Sequence, residues 1–213
     1  MSALIETLRQ KAAAHRLRVS ATLPLPENAD LPGRVSLAML SPDEPAFWPA
    51  FTQSPEWQDG TPDPMDRWSA RVLTSLAEET GGTAVFPFGG PPYFPFYSSA
   101  LRSGAVWPSP VTLLADSVMG LFVSFRGGIA YSEALPALDV TNPCPTCAQP
   151  CTTACPIGAL TPAGYDVPRC RAYIATPEGA PCLTQGCAVR RACPVSAGRR
   201  LPEQSAWHME QFK

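Results

Sequence analysis

Eight cysteines, Cys144, Cys147, Cys151, Cys155, Cys170, Cys182, Cys187 and Cys193, all fall in the last third of a 213-residue sequence. The first four read C-x2-C-x3-C-x3-C-P, from Cys144 to Cys155-Pro156. Thiols at such short intervals can surround one compact centre, with loop backbone N–H groups turned toward the sulfurs. The last four are spaced loosely, but Cys193-Pro194 repeats the ending of the first run. Thiolate coordination is the chemistry these residues offer: iron–sulfur clusters, or structural zinc with four cysteines to an ion. Disulfides are the third use of paired cysteines and belong to oxidising compartments.

The first run resembles the bacterial ferredoxin motif C-x2-C-x2-C-x3-C-P, with one extra residue between the second and third cysteines. In that motif the fourth cysteine serves the other cluster. The resemblance implies two [4Fe–4S] clusters with crossed ligation. One takes Cys144, Cys147, Cys151 and Cys193. The other takes Cys155, Cys170, Cys182 and Cys187, and no cysteine is left over.

Charge is distributed in the same sense. The whole chain carries −2, so nothing in the total points to a nucleic-acid partner. From residue 144 onward, Arg169, Arg171, Arg190, Arg191, Arg199, Arg200 and Lys213 outnumber Asp166, Glu178, Glu203 and Glu210. A positive surround suits anionic clusters. Met1 to His15 lacks the apolar stretch of a signal peptide. No apolar run approaches the ~18 residues of a membrane helix. A cytoplasmic location without membrane association is therefore expected, where cysteines bind metals more often than they form disulfides.

The elements that must position this region begin with a helix expected over Ser2 to Arg18, from the apolar face Leu4, Ile5, Leu8, Ala12 and Leu17. Strands are expected at Arg18 to Leu23 and Val35 to Leu40. A short helix is expected from a Ser41 cap with Pro42 in its first turn through Phe51, then loop over 52–64. Asp63 to Glu79 is the clearest helix, with Asp63 as cap, the stripe Met65, Trp68, Val72, Leu73 and Leu76, and a Gly81-Gly82 stop. Thr83 to Phe88 reads as a strand and Tyr97 to Gly104 as a helix. Val111 to Leu114 and Gly120 to Ser124 read as paired strands joined through a turn at Asp116. Ile129 to Leu138 reads as loop or edge. Helices and strands are mixed over the first 140 residues, so the fold class is α/β or α+β. The composition shift near residue 140 divides the chain into domains 1–140 and 141–213. Little apolar surface lies beyond that point, so a metal must help fold it.

Arg102-Ser-Gly104-Ala-Val-Trp107-Pro-Ser109-Pro110-Val111-Thr112-Leu113-Leu114 resembles the R-A-G-L-G-W-I-G-K-N-T-L-L segment of epoxyqueuosine reductase. Arg102, Gly104, Trp107, Thr112, Leu113 and Leu114 match in ungapped register. Arg169-Cys170-Arg171-Ala-Tyr173-Ile174 looks like that family's R-R-C-I-S-Y-L. Asp63-Pro64-Met-Asp66 and Gly120-Leu-Phe122-Val-Ser-Phe125-Arg126-Gly127 look like the cobalamin-processing (decyanating) family. These families and the reductive dehalogenases share a nitroreductase-like α+β fold. The resemblance implies such a domain in front of a small ferredoxin-like module, with a cobalamin bordered by Trp107, Ser109, Val111 and Thr112. It implies an oxidoreductase or corrinoid reductase, with a redox partner protein as electron donor or acceptor. The alternatives are a ferredoxin-type carrier without a corrinoid and a cobalamin-trafficking protein. The family's Lys falls on Pro110, its second Gly on Ser109 and its Asn on Val111, and no residue takes the place of its catalytic acid, so no catalytic residue is assigned.

Overall fold

The computed structural model describes residues 2–27 and 30–212. The chain forms two compact units, each assembled from two segments. One comprises the residues up to Val106 together with Ser124–Val140. The other comprises Trp107–Val123 together with the chain from Thr141 onward.

The first unit is a mixed helix and sheet structure, as the α+β class requires. It contains α1 (Ala3–Ala14), β1 (Leu17–Pro24), β2 (Ser36–Pro42), α2 (Phe47–Phe51), α3 (Pro55–Gln58), α4 (Pro64–Thr80), β3 (Thr83–Val85) and α5 (Phe96–Arg102). The chain then leaves along β4 (Val106–Pro108) and β5 (Leu114–Asp116), and returns as β6 (Gly127–Tyr131). The sheet has the order β1-β2-β6-β3, with antiparallel neighbours. Every residue of β2 and β6 is buried, so the sheet centre is closed to solvent on both faces. Helix α1 starts where the Ser2 hydroxyl accepts from Leu4 N at 3.3 Å, and it buries Ile5, Leu8 and Ala12. The stripe Met65, Trp68, Val72, Leu73 and Leu76 of α4 is buried, each side chain worth about 1.5–3 kcal/mol against exposure. Gly81, at φ +71°, ends α4, and Gly82 N reaches back to Ala77 O at 2.8 Å. Phe47, Phe51, Trp57 and Trp68 form an edge-to-face aromatic cluster beside α4.

Several expectations need correcting. Ser41 and Pro42 cap no helix. They lie in β2, paired with Arg18 and Leu17, and Ser41 Oγ stands 2.7 Å from Ser20 Oγ. The loop over 52–64 contains α3. Asp63 precedes α4 at φ +55° without a side-chain capping bond. Residues 129–131, read as loop or edge, belong to β6, an interior strand of the sheet. Its Gly127-Gly128 start masks the strand pattern, yet an added Cβ on Gly127 would stand 2.8 Å from Val85 O. The aromatic stretch over 86–97 packs on itself, with Phe86–Phe88 and Phe94–Phe96 ring pairs at 5.1 and 5.2 Å.

Glu56 supplies a testable contribution. Its carboxylate is largely covered and receives Arg71 through two bonds, at 2.5 and 3.0 Å. The Arg71 hydrogen bonds hold its pKa below the ordinary value against the opposing effect of burial. A depressed carboxylate pKa contributes stability above the unfolded pKa, and that contribution is lost as pH falls through the folded one. Glu56→Gln is expected to cost about 1 kcal/mol at neutral pH, Arg71 being half exposed. Denaturant melts should show the difference from the parent closing as pH drops below about 4.

The second unit contains β4 and β5 as a two-stranded ribbon and β7 (Leu160–Thr161) paired with β8 (Gly164–Tyr165). It adds the short helices α6 (Val167–Ile174), α7 (Ala180–Gln185), α8 (Ala188–Ala192) and α9 (Pro202–Phe212). The strand pair expected from Val111–Leu114 and Gly120–Ser124 is replaced by this ribbon and a single bridge between Asp116 and Gly120. Asp116 is a buried turn residue whose Oδ1 accepts from Val118 N and Met119 N. The cut at residue 140 therefore misses one segment, because 107–123 belongs with the cysteines. The reason is apolar: Val111, Ala115 and Leu121 share a core with Cys151, Leu160 and Val189. Among the described residues, no helix is long and apolar enough to cross a membrane.

Candidate metal centre

The first three cysteines occupy a chain of tight turns. Cys144 N donates to Asn142 Oδ1 at 3.0 Å, and Cys147 N to Cys144 O at 3.2 Å. Gln149, at φ +55°, reverses the backbone so that its N–H points at Cys147 Sγ, 3.3 Å away. Cys151 follows in a 3-10 turn over Pro150–Thr152 and is the one buried cysteine. Cys193, from the far end of the sequence, closes the group. It leaves α8 into the turn Pro194–Ser196, with Ser196 N bonded to Cys193 O at 2.9 Å. Burial pushes the Cys144 thiol up, and the thiols of Cys193, Cys151 and Cys147 push it further. Burial and then Cys193 act the same way on Cys151.

The other four cysteines form a second set. Cys155 lies where the chain turns into β7. Burial pushes its thiol up, but the backbone N–H groups of Ile157, Leu160, Ala159 and Gly158 outweigh that and hold it below the ordinary value. The Ala159 N–H is 3.2 Å from its sulfur. Asp166 caps α6 by accepting from Arg169 N at 3.0 Å, which sets Cys170 in the first turns of that helix. Burial raises the Cys170 thiol, the Tyr165 hydroxyl bonded to it lowers it, and Cys187, Cys155 and Cys182 raise it again. Cys182, on α7, is raised by burial and by Cys187 and Cys155, and lowered by the Ala188 N–H and by Arg191. Cys193 thus lies with the first run and Cys155 with the later cysteines. All eight thiols are free of disulfides.

A hollow of ≈ 370 Å³, counted to its open mouth, adjoins the first set. Cys144, Cys147, Cys151 and Cys193 line it together with Ser109, Pro110, Ala115 and Leu121. Ser109 is 6% exposed, and its Oγ is buried without a hydrogen-bond partner. Its backbone is pinned in a turn by Ser109 N→Leu113 O at 2.8 Å and Thr112 N→Ser109 O at 2.9 Å. Among the described residues, no three His, Cys, Asp or Glu side chains converge closely enough to hold one metal ion.

The residues expected to border a corrinoid are thus placed with the thiols. Val111 is fully buried in the core that contains Cys151. Ser109 faces the hollow, Trp107 is half-buried in β4, and Thr112 is exposed at φ +65°. Sequence reasoning missed Gly120, Tyr165, Arg190 and Ser196. Ser196 Oγ accepts from Leu121 N and donates to Met119 O, both at 3.0 Å, tying the turn after Cys193 to residues 119–121. Arg190, between Cys187 and Cys193, was legible only as one of the arginines of the positive surround.

No protein-family description matches the chain, and no curated protein matches it.

Proposed function

We propose that this protein is an iron–sulfur electron-transfer protein carrying two [4Fe–4S] clusters, one on each set of four thiols. The observation that carries the reading is the sorting of eight thiols into two all-sulfur sets, with backbone N–H groups directed at Cys147 and Cys155. Cysteine thiolates with N–H donors are the ordinary holders of such clusters, which supply one-electron transfer at potentials tuned by hydrogen bonds and solvent exclusion. Ser109 adds a buried hydroxyl with no protein partner on the wall of the first site, suited to a sulfur acceptor there. The smaller module is then ferredoxin-like in its ligation.

For the electron acceptor we propose a corrinoid, supported by the resemblance of residues 102–114 to epoxyqueuosine reductase. The first unit then corresponds to the nitroreductase-like domain of that superfamily, and the activity is that of a corrinoid reductase or a corrinoid-dependent reductase. The placement of Ser109 and Val111 beside the thiols favours a second reading, a carrier that serves a protein partner without a corrinoid.

Anaerobically purified protein is expected to hold about eight iron per chain, to show broad visible absorption, and to bleach with dithionite. Hydroxocobalamin titrated into it is expected to change its corrinoid spectrum and, with dithionite, to reach Co(I). Full iron with an unchanged corrinoid spectrum leaves the carrier reading. Zinc in place of iron removes both.

A further inference from the structure

Arg190 sits on α8 between two cysteines of different sets, with Cys187 at the helix start and Cys193 at its end. Its backbone carbonyl accepts from Cys193 N at 3.3 Å. Its guanidinium donates through Nη1 to the Leu121 carbonyl, and Leu121 lines the hollow of the first thiol set. The neighbouring Val189 is buried in the same core as Cys151 and Leu121. On the other side stand Cys187 of the second set, at the start of the same helix, and Tyr165, whose hydroxyl bonds Cys170. Arg190 therefore bonds the wall of one site and neighbours the ligands of the other.

Its charge is not balanced by the protein. Its side chain is partly buried, and among the described residues no carboxylate lies at ion-pair distance from it. A guanidinium partly withdrawn from water is stabilised by an anion close by. Neutral thiols and a phenol do not provide one. Metal-bound thiolates do, and a [4Fe–4S] core with four thiolates is net negative in either oxidation state. Two such centres in one small unit repel each other, and the repulsion grows with each added electron.

We propose that Arg190 is the counter-ion shared by the two cluster sites, and that its charge lets both sites hold an electron at once. The proposal rests on the reading of the eight thiols as cluster ligands. Each reduction adds one electron to one cluster, with dithionite as donor, and no bond is made or broken.

The test is an anaerobic redox titration of the whole protein, followed by electron paramagnetic resonance, with iron measured on the same samples. The parent protein comes first. If it lacks iron, the cluster reading fails and Arg190 is not at issue. In the iron-loaded parent, dithionite is expected to give about two spins per chain. Arg190→Gln and Arg190→Met are expected to keep their iron, to show more negative midpoints at both sites, and to drop to about one spin per chain. Arg190→Lys is expected to remain near the parent. Full iron with both midpoints and the spin count unchanged in Arg190→Gln would overturn the proposal. If Gln and Met lose iron, Arg190→Lys decides. Iron retained by Lys supports a charge role, and iron lost from Lys as well shows that Arg190 serves packing alone.

Discussion

Cys193→Ala is expected to remove one cluster and spare the other, so that iron falls from about eight to about four per chain. The expectation follows from where Cys193 sits. Although it comes last in the sequence, its thiol is the first neighbour felt by both Cys144 and Cys151 after burial itself. Cys182 feels Cys187 and Cys155 instead, so Cys182→Ala is expected to remove the other cluster. Paired variants make the assignment strict, because residues of one site are non-additive and residues of separate sites add. Cys144→Ala with Cys193→Ala should leave the same iron as either alone. Cys182→Ala with Cys193→Ala should leave almost none. If the first pair empties the protein, or Cys193→Ala keeps all its iron, the two sets are wrongly drawn.

Gly120→Ala is the second large effect, and it acts without replacing a ligand. Gly120 has φ +55°, a conformation that costs a side-chain-bearing residue about 1–2 kcal/mol. An added Cβ would also stand 2.7 Å from Cys193 Sγ and 2.7 Å from Ser196 Oγ, with Ser196 N at 3.0 Å. Ser196 cannot move aside cheaply, because its hydroxyl is held by both Leu121 N and Met119 O. The cysteine or the turn has to shift, and the total cost is about 2–4 kcal/mol. Iron should fall toward about four per chain, with a lower thermal midpoint for what remains. Ser196→Ala is the control. It removes two hydrogen bonds, about 1–2 kcal/mol, but brings no atom against Cys193, so its iron should stay. Equal iron loss in both variants would mean that the turn, rather than the close approach at Gly120, governs the site.

Much of the fold was legible where one physical signal dominated. The apolar stripe of α4 and its glycine stop are both where the periodicity puts them, with the helix at Pro64–Thr80. The grouping of Cys193 with the first run was legible from the repeated Cys-Pro step. What escaped was set by tertiary contacts. β6 opens with two glycines, whose strand role comes from the close approach of Val85 rather than from propensity. Ser41 and Pro42 carry a helix-start pattern, but pairing with β1 draws them into the sheet. Residues 107–123 look like part of the N-terminal domain, because their apolar residues say only that they are buried, not against what. Tyr165 and Arg190 carry no motif; their roles depend on folding that brings them to the thiols.

The two thiol sets are also nested along the chain. The first runs from Cys144 to Cys193 and encloses every member of the second, from Cys155 to Cys187. Under the proposed reading, each filled site is a knot that shortens the loop the other must close. With the second site filled, the path from Cys151 to Cys193 contracts from about 40 residues to about 10, which lowers the closure entropy by about 1 kcal/mol. Linkage makes the assistance mutual. At limiting iron the protein should therefore divide between empty and full chains, with half-loaded chains scarcer than independent filling would give.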